Sequence, residues 1–108
     1  FERLVEGLKQ AHRRWATGIY ALWYPVKDRR EVHRFQQALK KTGIRKQLLI
    51  ELCLYPDDDP RRLNGCGLVV VNPPWQFDEK MREALTALAP LLTDPAQTRI
   101  VVDWLVPE

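Results

Sequence analysis

Apolar residues at Phe1, Leu4, Val5, Leu8, Ala11, His12 and Trp15 recur at three- and four-residue intervals and predict a helix with one buried face. After Gly18 the pattern changes to a nearly continuous run, Ile19-Tyr20-Ala21-Leu22-Trp23-Tyr24, which reads as a strand covered on both faces and ended by Pro25. Asp28 with Glu31 three positions later makes a capping pair for a second helix. Val32, Phe35, Ala38 and Leu39 form its inward face, and Thr42-Gly43 behind Lys40-Lys41 stops it. From Lys46 to Tyr55 the residues Leu48, Ile50, Leu52 and Leu54 alternate against Leu49, Glu51, Cys53 and Tyr55, the period of a strand. The segment from Pro56 to Gly65 is polar and without helical pattern, and Gly67 to Val71 is apolar again. Asp78 opens a third helix through Met81, Leu85, Leu88 and Leu92, with Pro90 disturbing its last turn. Ile100, Val102, Trp104 and Val106 alternate in a final strand.

The order is therefore α-β-α-β-β-α-β, an α/β pattern. A helix crossing between the first two strands argues for a parallel pair. The third strand follows the second through a loop and argues for an antiparallel hairpin. At 108 residues the chain fills one small domain with one core. It begins at Phe1 rather than Met, which reads as a piece of something longer.

A hydrophobic share of 45% with 29% charged residues excludes a disordered segment, and no apolar run reaches the roughly 20 residues of a membrane helix. The net charge of +3 fits a solvated surface, although the basic residues cluster at His12-Arg13-Arg14, Lys27 with Arg29-Arg30, Lys40-Lys41 with Arg45-Lys46, and Arg61-Arg62. The two cysteines, Cys53 and Cys66, are too few for a zinc site and read as buried or half-buried thiols of a reducing, cytoplasmic compartment.

Asn72-Pro73-Pro74-Trp75 has the form of the [Asn/Asp]-Pro-Pro-aromatic tetrapeptide of amino-methyltransferases. There the amide or carboxylate and a prolyl-fixed carbonyl accept hydrogen bonds from the exocyclic amine while the aromatic ring stacks on an extruded base. Two features argue that here it only stops a strand. The strand delivering it is antiparallel, so it ends on the rim away from the parallel strand ends where α/β ligands bind. No glycine-rich cofactor turn accompanies it, since Asn64-Gly65-Cys66-Gly67 leads into a strand rather than out of one into a helix.

Tyr24 and Lys27, at the end of the first strand, are better placed to stack on a base and hold a phosphate, against the plainer reading of Trp23 and Tyr24 as core aromatics. The loop Pro56 to Asn64 should share that rim, with Arg61 and Arg62 as further RNA contacts. Its three consecutive acids, Asp57 to Asp59, do not converge well enough for a metal, and no metal ligand is assigned. His12 and His33 have no acid or nucleophile at a diagnostic spacing, and no catalytic triad is legible.

Several segments resemble one known family in its own order. They are Ala16 to Val26, Thr42 to Lys46, Pro56-Asp57 with Asp59, Val71 to Trp75, and Trp104 to Glu108. The family is RlmJ, the bacterial 23S ribosomal RNA adenine-N6 methyltransferases, and the resemblance covers nearly the whole chain. It implies a Rossmann-like class I methyltransferase that binds S-adenosylmethionine. It also implies that residues 1–108 are the C-terminal part of a single methyltransferase domain, shaping the target-base side of the site. The family's cofactor site and catalytic Asp-Pro-Pro-Tyr-type motif belong to its N-terminal half, so no catalytic or cofactor-binding residue carries over and the chain by itself is expected to be inactive. The resemblance aligns Asn72 to Trp75 with a second, non-catalytic Pro-Pro segment. The implied partner is 23S ribosomal RNA. The alternatives are a stand-alone α/β RNA-binding module and a dimerisation domain. Without a neighbour, the Ile19–Tyr24 strand becomes an apolar sheet edge through which the isolated piece is expected to self-associate.

Overall fold

A computed structural model describes residues 1–56, 62–94 and 96–108. Its elements are α1 (Glu2–Arg14), β1 (Tyr20–Val26), α2 (Arg29–Lys41), β2 (Gln47–Cys53), β3 (Gly65–Val71), α3 (Phe77–Leu92) and β4 (Arg99–Val106), in the expected order. The four strands form one sheet in the order β1-β3-β2-β4, and every neighbouring pair is antiparallel.

This corrects the expected parallel pair, and with it the Rossmann-like parallel sheet. The α2 crossover does return β2 in the same direction as β1, but one strand position is left between them. β3 turns back from β2 and fills that position, pairing with β1 from Tyr20↔Val71 to Val26↔Gly65 and with β2 from Gln47↔Val71 to Cys53↔Gly65. The aliphatic run Leu68 to Val71 thus lies inside the sheet, where both of its backbone edges are hydrogen-bonded. Pro25 does not end β1. It lies inside that strand, opposite Cys66.

The two faces of the sheet are covered unequally. Helices α1 and α2 cover one, where Val5, Leu8, Leu22, Val26, Val32, Phe35, Leu39, Val69 and Val71 form the larger core. Phe1 stacks on Phe35 at 4.9 Å between ring centres, joining α1 to α2. Each aliphatic or aromatic side chain fully buried here contributes about 1.5–3 kcal/mol. The other face packs α3 on β2 and β4 through Leu48, Ile50, Val70, Leu85 and Val102. At the β1 end of that face Ala21 and Trp23 stay exposed, Trp23 by 56%.

Both rims follow from strand direction. The upper rim carries the C-terminal ends of β1 and β2 and the start of β3. The lower rim carries the end of β3, the turn from α1 into β1, and the C-terminus of α2. Asp28 caps α2 by accepting from the Arg30 backbone N–H at 3.0 Å. Gln47 closes its other end, donating through Nε2 to the carbonyls of Leu39 and Ile44.

Candidate nucleic-acid interface

The register aligns Tyr24, Gly67 and Glu51 in one row across β1, β3 and β2, on the α1/α2 face. Gly67 is required there, because a Cβ would stand 2.2 Å from Tyr24 Cζ. The tyrosine ring lies across that glycine, and its hydroxyl donates to Glu51 Oε2 on the far strand. Glu51, only 2% exposed, also accepts from Arg29 Nη1 at 2.9 and 3.1 Å and from Gln36 Nε2 at 3.2 Å. Arg29 Nη2 lies 3.6 Å from Cys53 Sγ. A buried carboxylate is tolerated only when paired and hydrogen-bonded in this way. Burial first, and then the Glu51 carboxylate, push the Tyr24 hydroxyl far above its ordinary range.

Tyr24 therefore does not face the rim. It is 0% exposed and makes an edge contact with Phe35, so a base cannot stack on it, which corrects the substrate-contact reading in favour of a core aromatic. The physical reason is the polar partner across Gly67, invisible without the register. Lys27, one residue past β1, is exposed on the upper rim. Beside it Asp28 and Arg30 pair at 3.3 Å, and the Arg30 side chain, then its backbone N–H, hold the Asp28 carboxyl below the usual carboxylate range.

Asn64, fully buried, closes this rim. Its backbone N–H donates to Val26 O at 2.8 Å, its Nδ2 to Lys27 O at 3.4 Å, and its own carbonyl accepts from Leu54 and Tyr55. Arg62 Nε donates to Asn64 Oδ1 at 2.8 Å and Nη2 to Pro56 O at 3.1 Å, with the guanidinium 5.1 Å over the Tyr55 ring. The Lys27 carbonyl and the Arg62 guanidinium are thus tied to one asparagine, which sets a cation beside a cation–aromatic pair on this rim. Arg61 and the acids Asp57 to Asp59 lie outside the described residues. Glu51, Asn64 and Tyr55 escaped the sequence reading. The available signal was a carboxylate inside an apolar strand, facing a strand with alternating glycines, Gly65 and Gly67.

On the lower rim Asn72 has φ 56° and donates through Nδ2 to Ala16 O at 2.9 Å and Gly18 O at 2.8 Å, while its N–H bonds Lys46 O. The amide is thus held by the α1–β1 turn, as suits a strand stop rather than a base-binding motif. Among the described residues no cluster of His, Cys, Asp or Glu could hold a metal, and no helix is long and apolar enough to cross a membrane.

The sequence itself, matched over nearly its whole length, places the chain in a class of ribosomal RNA methyltransferases. The chain belongs to the family described as ribosomal RNA large subunit methyltransferase D, RlmJ, whose family model matches residues 1–106. It is 42% identical to ribosomal RNA large subunit methyltransferase J of Escherichia coli (strain K12) and 40% identical to that of Haemophilus influenzae (strain ATCC 51907 / DSM 11121 / KW20 / Rd). Each alignment covers 100% of this chain, but the chain spans only 39% and 38% of those relatives. Among solved structures, protein LPL1258 of Legionella pneumophila str. Philadelphia 1, of family DUF519, superimposes with a TM-score of 0.84 at 26% identity, covering 95% of this chain and 38% of that one.

Proposed function

We propose that this chain is the C-terminal part of an S-adenosylmethionine-dependent 23S ribosomal RNA adenine-N6 methyltransferase, and that its upper rim forms part of the target-base side. The family match over residues 1–106 carries this reading. The described residues do not fit the cofactor. The strand-to-helix turn from Val26 to Arg29 has no glycine to admit it, and the Asp28 carboxylate is engaged by α2 and Arg30. We assign methyl transfer to the N-terminal part of the protein, and binding and orientation to the residues described here. Lys27 and Arg62 hold phosphate, while Asn64 fixes the backbone that presents them. A further proposed contact, Arg61, stands next to Arg62 in sequence.

In the protein comprising this chain and its N-terminal part, Lys27→Ala with Arg62→Ala should raise KM for protein-free 23S RNA about 10-fold or more with kcat little changed, as loss of phosphate contacts predicts. Unchanged KM would remove the upper rim from the RNA site. Absence of any adenine methylation by the intact protein would remove the enzymatic reading itself.

A second reading rests on the outer edge of β1, which has no strand beside it among the described residues. A chain carrying only residues 1–108 would pair there with a second copy. Sedimentation showing a monomer at high concentration would end that reading.

A further inference from the structure

The lower rim combines two features that the proposed methylation site does not use. Trp75 is 84% exposed and Trp15 66% exposed, although indoles are normally buried. Neither sits on a loose segment. The Trp15 ring lies 3.1 Å from the position of a Cβ on Gly18, and its carbonyl accepts from the Tyr20 hydroxyl at 2.6 Å. Trp75 follows Pro73-Pro74, and that segment leaves β3 at Asn72, whose amide holds the carbonyls of Ala16 and Gly18. The same asparagine thus ties together the two backbone segments that present the two rings.

The surrounding charge is basic. Helices α1 and α2 both end on this rim, with Arg13 and Arg14 in the last turn of one and Lys40 and Lys41 in the last turn of the other, all exposed. The helices pack together, which sets their axes about 8–10 Å apart. Acids near this rim are Glu108, whose carboxylate pairs with Lys46 while its main-chain oxygen accepts from Arg45, and Asp78 and Glu79 in the first turn of α3. Exposed indoles beside helix ends that carry paired cations suit a single-stranded nucleic acid, whose bases stack on aromatic rings while its phosphates meet cations. A protein partner would use the indoles but gain nothing from four clustered cations unless it were itself acidic.

We propose that the lower rim is a second RNA contact, in which Trp15 and Trp75 stack on unpaired bases and Arg13, Arg14, Lys40 and Lys41 hold phosphates. It rests on the reading of the protein as one that acts on RNA, and it extends the RNA footprint to the side of the sheet away from Lys27 and Arg62. The test uses the protein comprising this chain and its N-terminal part, with a fluorescein-labelled single-stranded RNA of mixed sequence. Trp15→Ala with Trp75→Ala should raise Kd about 10-fold or more, and Trp75→Phe should retain most of the affinity because a ring remains. Replacing the four cations with Ala should reduce the slope of log Kd against log salt by roughly 3, at about 0.7 per phosphate on a single strand. Wild-type affinity and slope in these variants would overturn the second contact. So would a change confined to oligomeric state, which would make this rim a protein interface. If Lys27→Ala with Arg62→Ala weakens binding while the lower-rim variants do not, only this proposal fails. If the wild-type protein binds no RNA, both fail.

Discussion

The two rims of the sheet invert what their side chains suggest. On the upper rim an aromatic that seemed placed to meet a base, Tyr24, is drawn into the core, and the surface is left to Lys27 and Arg62. On the lower rim the tetrapeptide with the look of chemistry, Asn72 to Trp75, uses its asparagine to hold backbone carbonyls and leaves its tryptophan outside. The difference arises from what each residue finds across the strands. Tyr24 finds a buried carboxylate over a glycine, whereas Asn72 finds two carbonyls of a turn. A motif therefore acts through its partners, and those are set by register.

The comparison is broken most directly at Glu51. Removing the carboxylate leaves Arg29 and the Tyr24 hydroxyl without their shared acceptor inside the protein. Glu51→Ala should therefore cost about 3–5 kcal/mol, the range for breaking a buried pair at one partner. Urea unfolding should show this as a large fall in midpoint at an unchanged slope. Replacing both charges, Glu51→Leu with Arg29→Leu, should recover part of the loss. A small loss for Glu51→Ala alone would mean that the buried network contributes little to stability and that Tyr24 is held by packing.

Asn72 comes next in size. Alanine there loses two hydrogen bonds and must hold a left-handed backbone, for a total of about 2–3 kcal/mol. Asn72→Gly separates the two, since glycine accepts the conformation but not the bonds. Thermal or urea unfolding should rank asparagine, then glycine, then alanine. If Asn72→Ala instead abolished methylation at wild-type stability, the strand-stop reading would fall and the tetrapeptide would regain a catalytic role.

The elements were legible because periodicity is local: the helical stripe from Phe1 to Trp15, the cap at Asp28, and the apolar runs of β2 and β4 all fell where the chain folds, although Asp28 caps through Arg30 N–H rather than in a pair with Glu31. Pairing was not legible. A crossover helix fixes the direction of β2 relative to β1 but not whether a strand lies between them, and β3 takes that place, which saturates both edges of its aliphatic run. The position of Asn72 on the rim away from Lys27 was foreseen from strand direction, which the antiparallel β3 satisfies. The rim's own clasp was not foreseen, because Asn64 looks like an ordinary turn residue until its bonds to Val26, Lys27, Leu54, Tyr55 and Arg62 are seen together. Charge alone singles out Lys27 and Arg62 in the sequence, and both are exposed in the fold.

The smallest effect sharpens the comparison through pH. Tyr24 titrates far above its ordinary range in the folded protein, from burial first and Glu51 second, while the unfolded chain ionises it near pH 10. A pKa raised by folding contributes stability that is fully present below about pH 10 and lost as pH rises beyond it, because the unfolded state then releases a proton the folded state keeps. Tyr24→Phe removes that ionisation along with one hydrogen bond to a charged group, so it should cost about 1–2 kcal/mol near pH 7. Its stability should then decline less steeply than wild type between about pH 10 and 11. Urea midpoints measured across that window decide the matter. Parallel declines in the two proteins would mean that the hydroxyl reaches solvent in solution, and the upper rim would then present an aromatic ring to RNA after all.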